Sequence, residues 1–279
     1  MAPKMQYFQA FICFGRSLPQ EVRVGFCVVL FAGLVTTPLV AQSFVNGGFE
    51  DGNLNGWTQG GGSWYGGWPM DPQSYLPGGS NYGNYTNNTI VVSPSIDPIS
   101  GLNTVYNGNY AVRVNDSYND YSVSVISQTV ANYSDPNIFF AWAADLQGSH
   151  GLTDSDNFTL QLIDNTTGTQ LYGVSYSSAS AAGTSLFTYD PSGWYYTPWQ
   201  VESLDVSADE GDTFTLTLLG SDCPYGGHAG YVYLDGFGAA PPVEGPATTP
   251  EPSSLLLLGS GALFMVTRIR AKLARPSAA

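Results

Sequence analysis

The residues of this chain best equipped for chemistry are flat aromatic rings set among short polar side chains. One group, Trp64, Tyr65 and Trp68, lies in GWTQGGGSWYGGWPMDPQSYLPGGSNYGNYTNN; a second, Trp194, Tyr195 and Trp199, lies in GWYYTPW, held irregular by Pro191 and Pro198. A sugar stacks its C–H faces on such rings while Asn, Gln, Asp and Tyr hydroxyls meet its own hydroxyls, so these residue types together point to carbohydrate contact. The same rings would also serve as a cover folded back over a sheet, or as a contact for another protein, and the sequence leaves all three open.

Other chemistries find less material. A zinc site needs three or four converging ligands, and His150, His228 and Cys223 are the only soft candidates between Gln42 and Glu251. That scarcity argues against zinc, and His228, in a Gly-rich turn, reads as a local hydrogen-bonding residue rather than a catalytic base. A glycosidase needs two carboxylates at controlled separation, but in a stretch with 21 acids a pair always exists and proves nothing. Neither G-x-S-x-G nor H-E-x-x-H occurs, and no Gly-rich loop opens a nucleotide-binding unit. The expectation is a protein that is not an enzyme and has no organic cofactor.

Charge narrows the partners. Of the 279 residues, 8 are Lys or Arg and 22 Asp or Glu, a net charge of −14. Seven of the eight bases are terminal, which leaves Arg113 as the only base among the 21 acids between Gln42 and Glu251. Such a stretch cannot replace the counterions of a nucleic acid, so nucleic acid is excluded. It gains from any bound cation that offsets its self-repulsion, and calcium is the expected one. Arg113 should have a carboxylate partner across a sheet, or hold an anionic sugar.

The elements that would position these residues read as strands. Ala111–Val114, Tyr121–Val130, Ile138–Ala144, Phe158–Ile163, Leu171–Tyr176, Gln200–Val206, Phe214–Leu219 and Tyr231–Phe237 are short alternating or apolar runs, separated by turns such as NDSYND, DNTTGT and SADEGD. Strands of this length and spacing predict an all-β, antiparallel β-sandwich over one domain, 42–240. Asn53–Ser95 shows no strand of useful length and reads as a long loop.

Both ends read as targeting signals. A basic stretch up to Arg23, the apolar run VGFCVVLFAGL and the passage TTPLVAQS form a secretory signal peptide over 1–41, cleaved after Ala41. Its removal takes Cys13 and Cys27, so Cys223 stays as a free thiol able to pair only between chains. At the other end a Pro-rich linker, 241–253, leads into the hydrophobic segment and basic tail of 254–275. The twelve apolar residues Leu255–Val266 span about 18 Å as a short helix, less than the roughly 30 Å of a bilayer core. They reach the membrane with help from their flanks or are recognised there.

The order Pro250, Glu251, Pro252, then a leucine-rich run, then arginines resembles the PEP-CTERM sorting signal of Gram-negative bacteria that secrete exopolysaccharide. The resemblance implies export, tethering at the inner membrane before processing, and recognition by an exosortase-type sorting enzyme, with a final place in the cell envelope or outside the cell. The domain's own ends, SFVNGGFEDGNLNGW and GHAGYVYLDGFGA, are similar to jelly-roll carbohydrate-binding modules. In those modules the corresponding acids bind a structural calcium, which by position implies Glu50 and Asp235 here. DCPYGGHAGYVYLDG further resembles a motif of other secreted domains with this tail, some of which have a second cysteine that this chain lacks. The expectation is therefore a non-catalytic envelope or matrix protein that binds exopolysaccharide through loop aromatics, with a structural calcium. The alternatives are a surface-coat protein making protein contacts, with Cys223 as cross-link, and a glycoside-active enzyme.

Overall fold

A computed structural model describes residues 43–148 and 150–243. The expected signal peptide, the Pro250–Glu251–Pro252 motif and the hydrophobic tail lie outside the described residues. Among those described, no helix is long and apolar enough to cross a membrane.

The described residues form strands β1 (Thr58–Ser63), β2 (Thr89–Val92), β3 (Tyr110–Val114), β4 (Ser122–Val130), β5 (Asn137–Gln147), β6 (Asn157–Asp164), β7 (Thr169–Ser177), β8 (Thr188–Asp190), β9 (Trp194–Tyr196), β10 (Gln200–Asp205), β11 (Phe214–Ser221) and β12 (Gly230–Gly238). They build two antiparallel sheets, ordered β1-β4-β11-β6-β7 and β2-β3-β12-β5-β9-β8, with β10 also paired to β5. A one-turn helix, α1 (Ser178–Ala181), follows β7 and is closed by reciprocal Ser177 and Ser180 capping bonds.

Without the short additions β1, β2, β8 and β9, the sheets read β4-β11-β6-β7 and β3-β12-β5-β10. Every consecutive pair then crosses between sheets except the β6–β7 hairpin, and the last strand lies beside the first. This is a jelly roll, and its eight strands are the eight that the sequence predicts.

Two expectations need correction. Asn53–Ser95 is not strandless, because β1 and β2 lie within it, and GWYYTPW is not wholly irregular, because β9 pairs with β5 from Trp194 to Tyr196. β1 carries three glycines and hides from pattern reading for a steric reason. A Cβ on Gly60 would strike the Tyr75 carbonyl, and one on Gly61 the Tyr85 carbonyl, because the segment that follows lies with its backbone directly on the strand.

That segment explains why the central strands are apolar on both faces. Between the sheets pack Trp142, Phe140, Phe158, Phe214, Ile126 and Leu160. On the far side of β4 and β11, Val123, Val125 and Leu219 are covered by Trp64, Met70 and Tyr75. On the outer face of β12, Tyr231 and Tyr233 are covered by Trp194, Ile99, Leu102 and Trp199. The sandwich thus has four layers, and β4, β11 and β12 are buried along almost their whole length.

Candidate functional site

β1, β3, β5 and β11 all run towards one end of the sandwich, and the loops that leave them meet there. Trp64 N–H donates to the Tyr121 carbonyl (3.0 Å), Gly67 N–H to the Thr153 carbonyl (3.1 Å) and Asn119 Nδ2 to the Gly227 carbonyl (3.1 Å). Beneath them Asp222 is fully buried and pins the 115–122 segment to the 222–229 loop. Its Oδ1 accepts from Asn115 Nδ2 (2.9 Å), and its Oδ2 from Asp120 N–H (3.0 Å), Ser122 N–H (3.2 Å) and Ser122 Oγ (2.9 Å). Burial pushes this carboxyl up to about 7, against the pull of the Asp120 and Ser122 donors.

Four tyrosines stand exposed on these pinned loops: Tyr65, Tyr118, Tyr121 and Tyr225. Tyr65 and Tyr121 have ring centroids 6.1 Å apart at 34°, and Tyr121 rests on Gly226, where a Cβ would come within 2.6 Å of its ring. Tyr225 meets the edge of His150 at 4.8 Å. Asn119 and Asp120, both exposed, supply short polar groups beside the rings.

The two aromatic groups singled out from sequence divide sharply. Tyr65 is 81% exposed, while its neighbour Trp64 is 3% exposed and is part of the cover over β4. Trp68 is half-buried against that cover. Trp194 is buried over Tyr231, Tyr195 packs against the sandwich core, and half-buried Trp199 donates its Nε1–H to the Asn103 carbonyl (2.8 Å). Of the six, Tyr65 alone joins the exposed set. Tyr118 and Tyr225 escaped sequence reading because each is one ring in an ordinary turn, and Tyr121 because it reads as the first residue of a strand.

The same end brings together His150, Cys223 and His228, the three soft ligands whose scarcity argued against zinc. One donor atom each from His150, Cys223 and His228 falls within 4.8 Å of the other two. Cys223 Sγ is 3.7 Å from His228 Nδ1, and the His150 and His228 rings are 5.0 Å apart. Burial, then the nearby His150, holds His228 below the usual imidazole range. Cys223 is a free thiol, but it is fully buried and so is not offered to another chain.

The opposite end of the sandwich holds the carboxylates. Asp235 Oδ2 accepts from Tyr106 N–H (2.9 Å) and Asn107 N–H (2.8 Å), and Oδ1 from Gly236 N–H (2.6 Å). Glu50 accepts from Asn109 N–H (3.0 Å), Tyr110 N–H (3.1 Å) and Asn109 Nδ2 (3.2 Å). Gly108 must be glycine, because a Cβ there would collide with the Glu50 carboxylate. Burial raises Asp235 to about 7, opposed by these N–H donors and aided by the charge of Glu50. The two acids are thus neighbours, as a shared calcium requires, but backbone donors already use a lone pair on each, so carbonyls would have to complete a six- to eight-oxygen shell. A second group at this end, Asp164, Asp209 and Asp212, has carboxylate oxygens within 4.8 Å of one another and could hold a divalent cation.

Arg113 departs from expectation. Its guanidinium lies 5.5 Å over the Tyr231 ring and its buried Nε makes no hydrogen bond, while its charge favours the ionised form of nearby Asp116 without a hydrogen-bonded pair across the sheet.

Residues 248–271 match the PEP-CTERM protein-sorting motif. No curated protein matches the chain. Among solved structures it is similar to TmCBM61, determined in complex with β-1,4-galactotriose, at 14% identity and a TM-score of 0.37, over 71% of this chain and 97% of that one. It is also similar to Caldicellulosiruptor saccharolyticus CBM27-1, determined with mannohexaose, at 12% identity and a TM-score of 0.34, over 72% and 97%. A third is the K1 cleaved adhesin domain of Lys-gingipain from Porphyromonas gingivalis W83, at 13% identity and a TM-score of 0.35, over 68% and 94%. The chain thus carries a PEP-CTERM sorting motif C-terminal to a jelly-roll β-sandwich, and the motif implies export to the cell envelope with an exosortase as partner.

Proposed function

We propose that this protein is a non-catalytic envelope or matrix component that binds exopolysaccharide through the exposed tyrosines of one end of its sandwich. The observation that carries this is the placing of Tyr118, Tyr121 and Tyr225 on two loops anchored by the buried Asp222, with Tyr65 tied to them through Trp64 N–H and the Tyr121 carbonyl. A set of rings held in place before the ligand arrives loses little entropy on binding, and each ring offers a flat face to a sugar. The tryptophans contribute indirectly, by sealing the outer faces of both sheets so that the loops have a rigid floor. A structural calcium at Glu50 and Asp235 would neutralise charge at the opposite end, and the tail would hold the chain at the inner membrane until it is processed.

The test is co-sedimentation of the full chain, purified in detergent, with the insoluble exopolysaccharide of its source organism, with calcium and with a chelator. Saturable binding competed by soluble sugar supports the proposal, and calcium should affect stability more than affinity. Self-assembly without sugar, together with absence of sedimentation by a demonstrably folded chain, would favour the surface-coat alternative.

A further inference from the structure

We propose that Cys223, His228 and His150 form a binding site for a thiophilic divalent metal ion, with zinc the ion that their donor set fits. The proposal is independent of sugar binding.

The donors come from two loops. The β11–β12 turn supplies Cys223 and His228, and the β5–β6 loop supplies His150. The turn is closed by Cys223 N–H to the His228 carbonyl (2.9 Å) and Gly226 N–H to the Cys223 carbonyl (3.1 Å), so the sulfur and the imidazole are held on one side of it. Their separation, 3.7 Å, is close to a tetrahedral edge: with Zn–S about 2.3 Å and Zn–N about 2.0 Å, sulfur and nitrogen sit about 3.5 Å apart. Gly227 N–H points to Cys223 Sγ at 3.3 Å, the kind of outer bond that stabilises a metal-bound thiolate.

His150 completes the set from the exposed side. Its donor atom lies within 4.8 Å of the others, so closing by no more than about 1.5 Å brings it to bonding geometry. His150 is exposed and His228 half-buried, so the site opens to solvent on their side, which gives an ion a way in and lets a water serve as fourth ligand. One sulfur and two imidazole nitrogens suit zinc and not calcium, which takes oxygens. Binding is not a redox step: the Cys223 S–H bond breaks, the sulfur keeps the electron pair and donates it to the metal, and one proton leaves to solvent.

The experiment titrates Co²⁺ into the metal-free full chain in detergent and follows absorption and proton release, then displaces the cobalt with Zn²⁺. The expected result is a sulfur-to-cobalt charge-transfer band with the intense visible bands of four-coordinate cobalt, one ion and one proton per chain, and bleaching by zinc. Cys223→Ser should abolish the charge-transfer band. His150→Gln lies at the surface and leaves the fold intact; it and His228→Gln should each weaken zinc binding by at least about 10-fold, since loss of even an outer partner typically costs 10- to 100-fold. The proposal is overturned if the folded chain shows no charge-transfer band, if both histidine variants bind like the parent, or if Ca²⁺ competes for the site as well as Zn²⁺ does.

Discussion

The two ends of the sandwich are built alike underneath and differ in what they present. Each has a buried aspartate, Asp222 or Asp235, held at about 7 by burial and wrapped by backbone N–H donors from a crossing loop. At the Asp222 end those loops project tyrosines and two histidines, while at the Asp235 end they surround further carboxylates. The buried acid is therefore a fastening device common to both, and any ligand preference comes from the side chains it lifts into solvent. One end offers flat rings and soft donors, the other hard oxygens.

The comparison breaks most visibly at the covers and fastenings. Trp64→Ala should cost about 3 to 5 kcal/mol of stability, measured by urea denaturation, because it opens the layer over Val123 and Val125. Asp222→Ala removes the acceptor of the Asp120 and Ser122 N–H groups, while Asn115 Nδ2 and Ser122 Oγ keep the Gly230 carbonyl and Asn115 Oδ1, and should cost about 3 kcal/mol. It should also abolish polysaccharide binding where the fold survives. Asp235→Ala should destabilise comparably yet leave the affinity of the remaining folded molecules unchanged, and equal loss of binding in both variants would show that the ends are not separable.

A smaller effect is expected at the rings themselves. Tyr65→Ala or Tyr121→Ala should weaken sedimentation affinity about tenfold, roughly 1.4 kcal/mol, without moving the urea midpoint. Smaller again is the pH response of two further buried carboxyls. Asp156 and Asp145 are raised well above the ordinary carboxylate range, first by burial. The folded chain therefore holds protons that the unfolded chain has released, so this stability is full below the ordinary carboxylate pKa and is lost as pH rises through the raised values. Urea midpoints should be higher at about pH 5 than at about pH 8, and Asp156→Asn should flatten the difference. The smallest expected change is calcium's: a rise in Tm of a few degrees that Glu50→Gln removes, readable by calorimetry.

What the sequence disclosed follows from the layers. The eight jelly-roll strands carry β-branched and aromatic residues because they are covered, and runs such as VSVISQTV and FTLTLL announce themselves. β1 does not, because TQGGGS is shaped by the backbone lying on it. The site was legible in reverse order of its aromatic density. Dense clusters such as Trp64 with Trp68, and Trp194 with Trp199, mark what must be buried, whereas Tyr118, Tyr121 and Tyr225 matter through the fold that brings single rings together. His150 and His228 are 78 residues apart, and only the meeting of the β5–β6 and β11–β12 loops makes them neighbours of Cys223.

The most direct test of the ring end is co-sedimentation with the organism's own exopolysaccharide by the parent chain and by the Tyr65→Ala/Tyr121→Ala double variant, both checked for an unchanged urea midpoint. The parent should bind saturably and the double variant should stay in solution. Equal binding by the two, or none by the folded parent, would contradict the assignment of this end as a polysaccharide-binding surface.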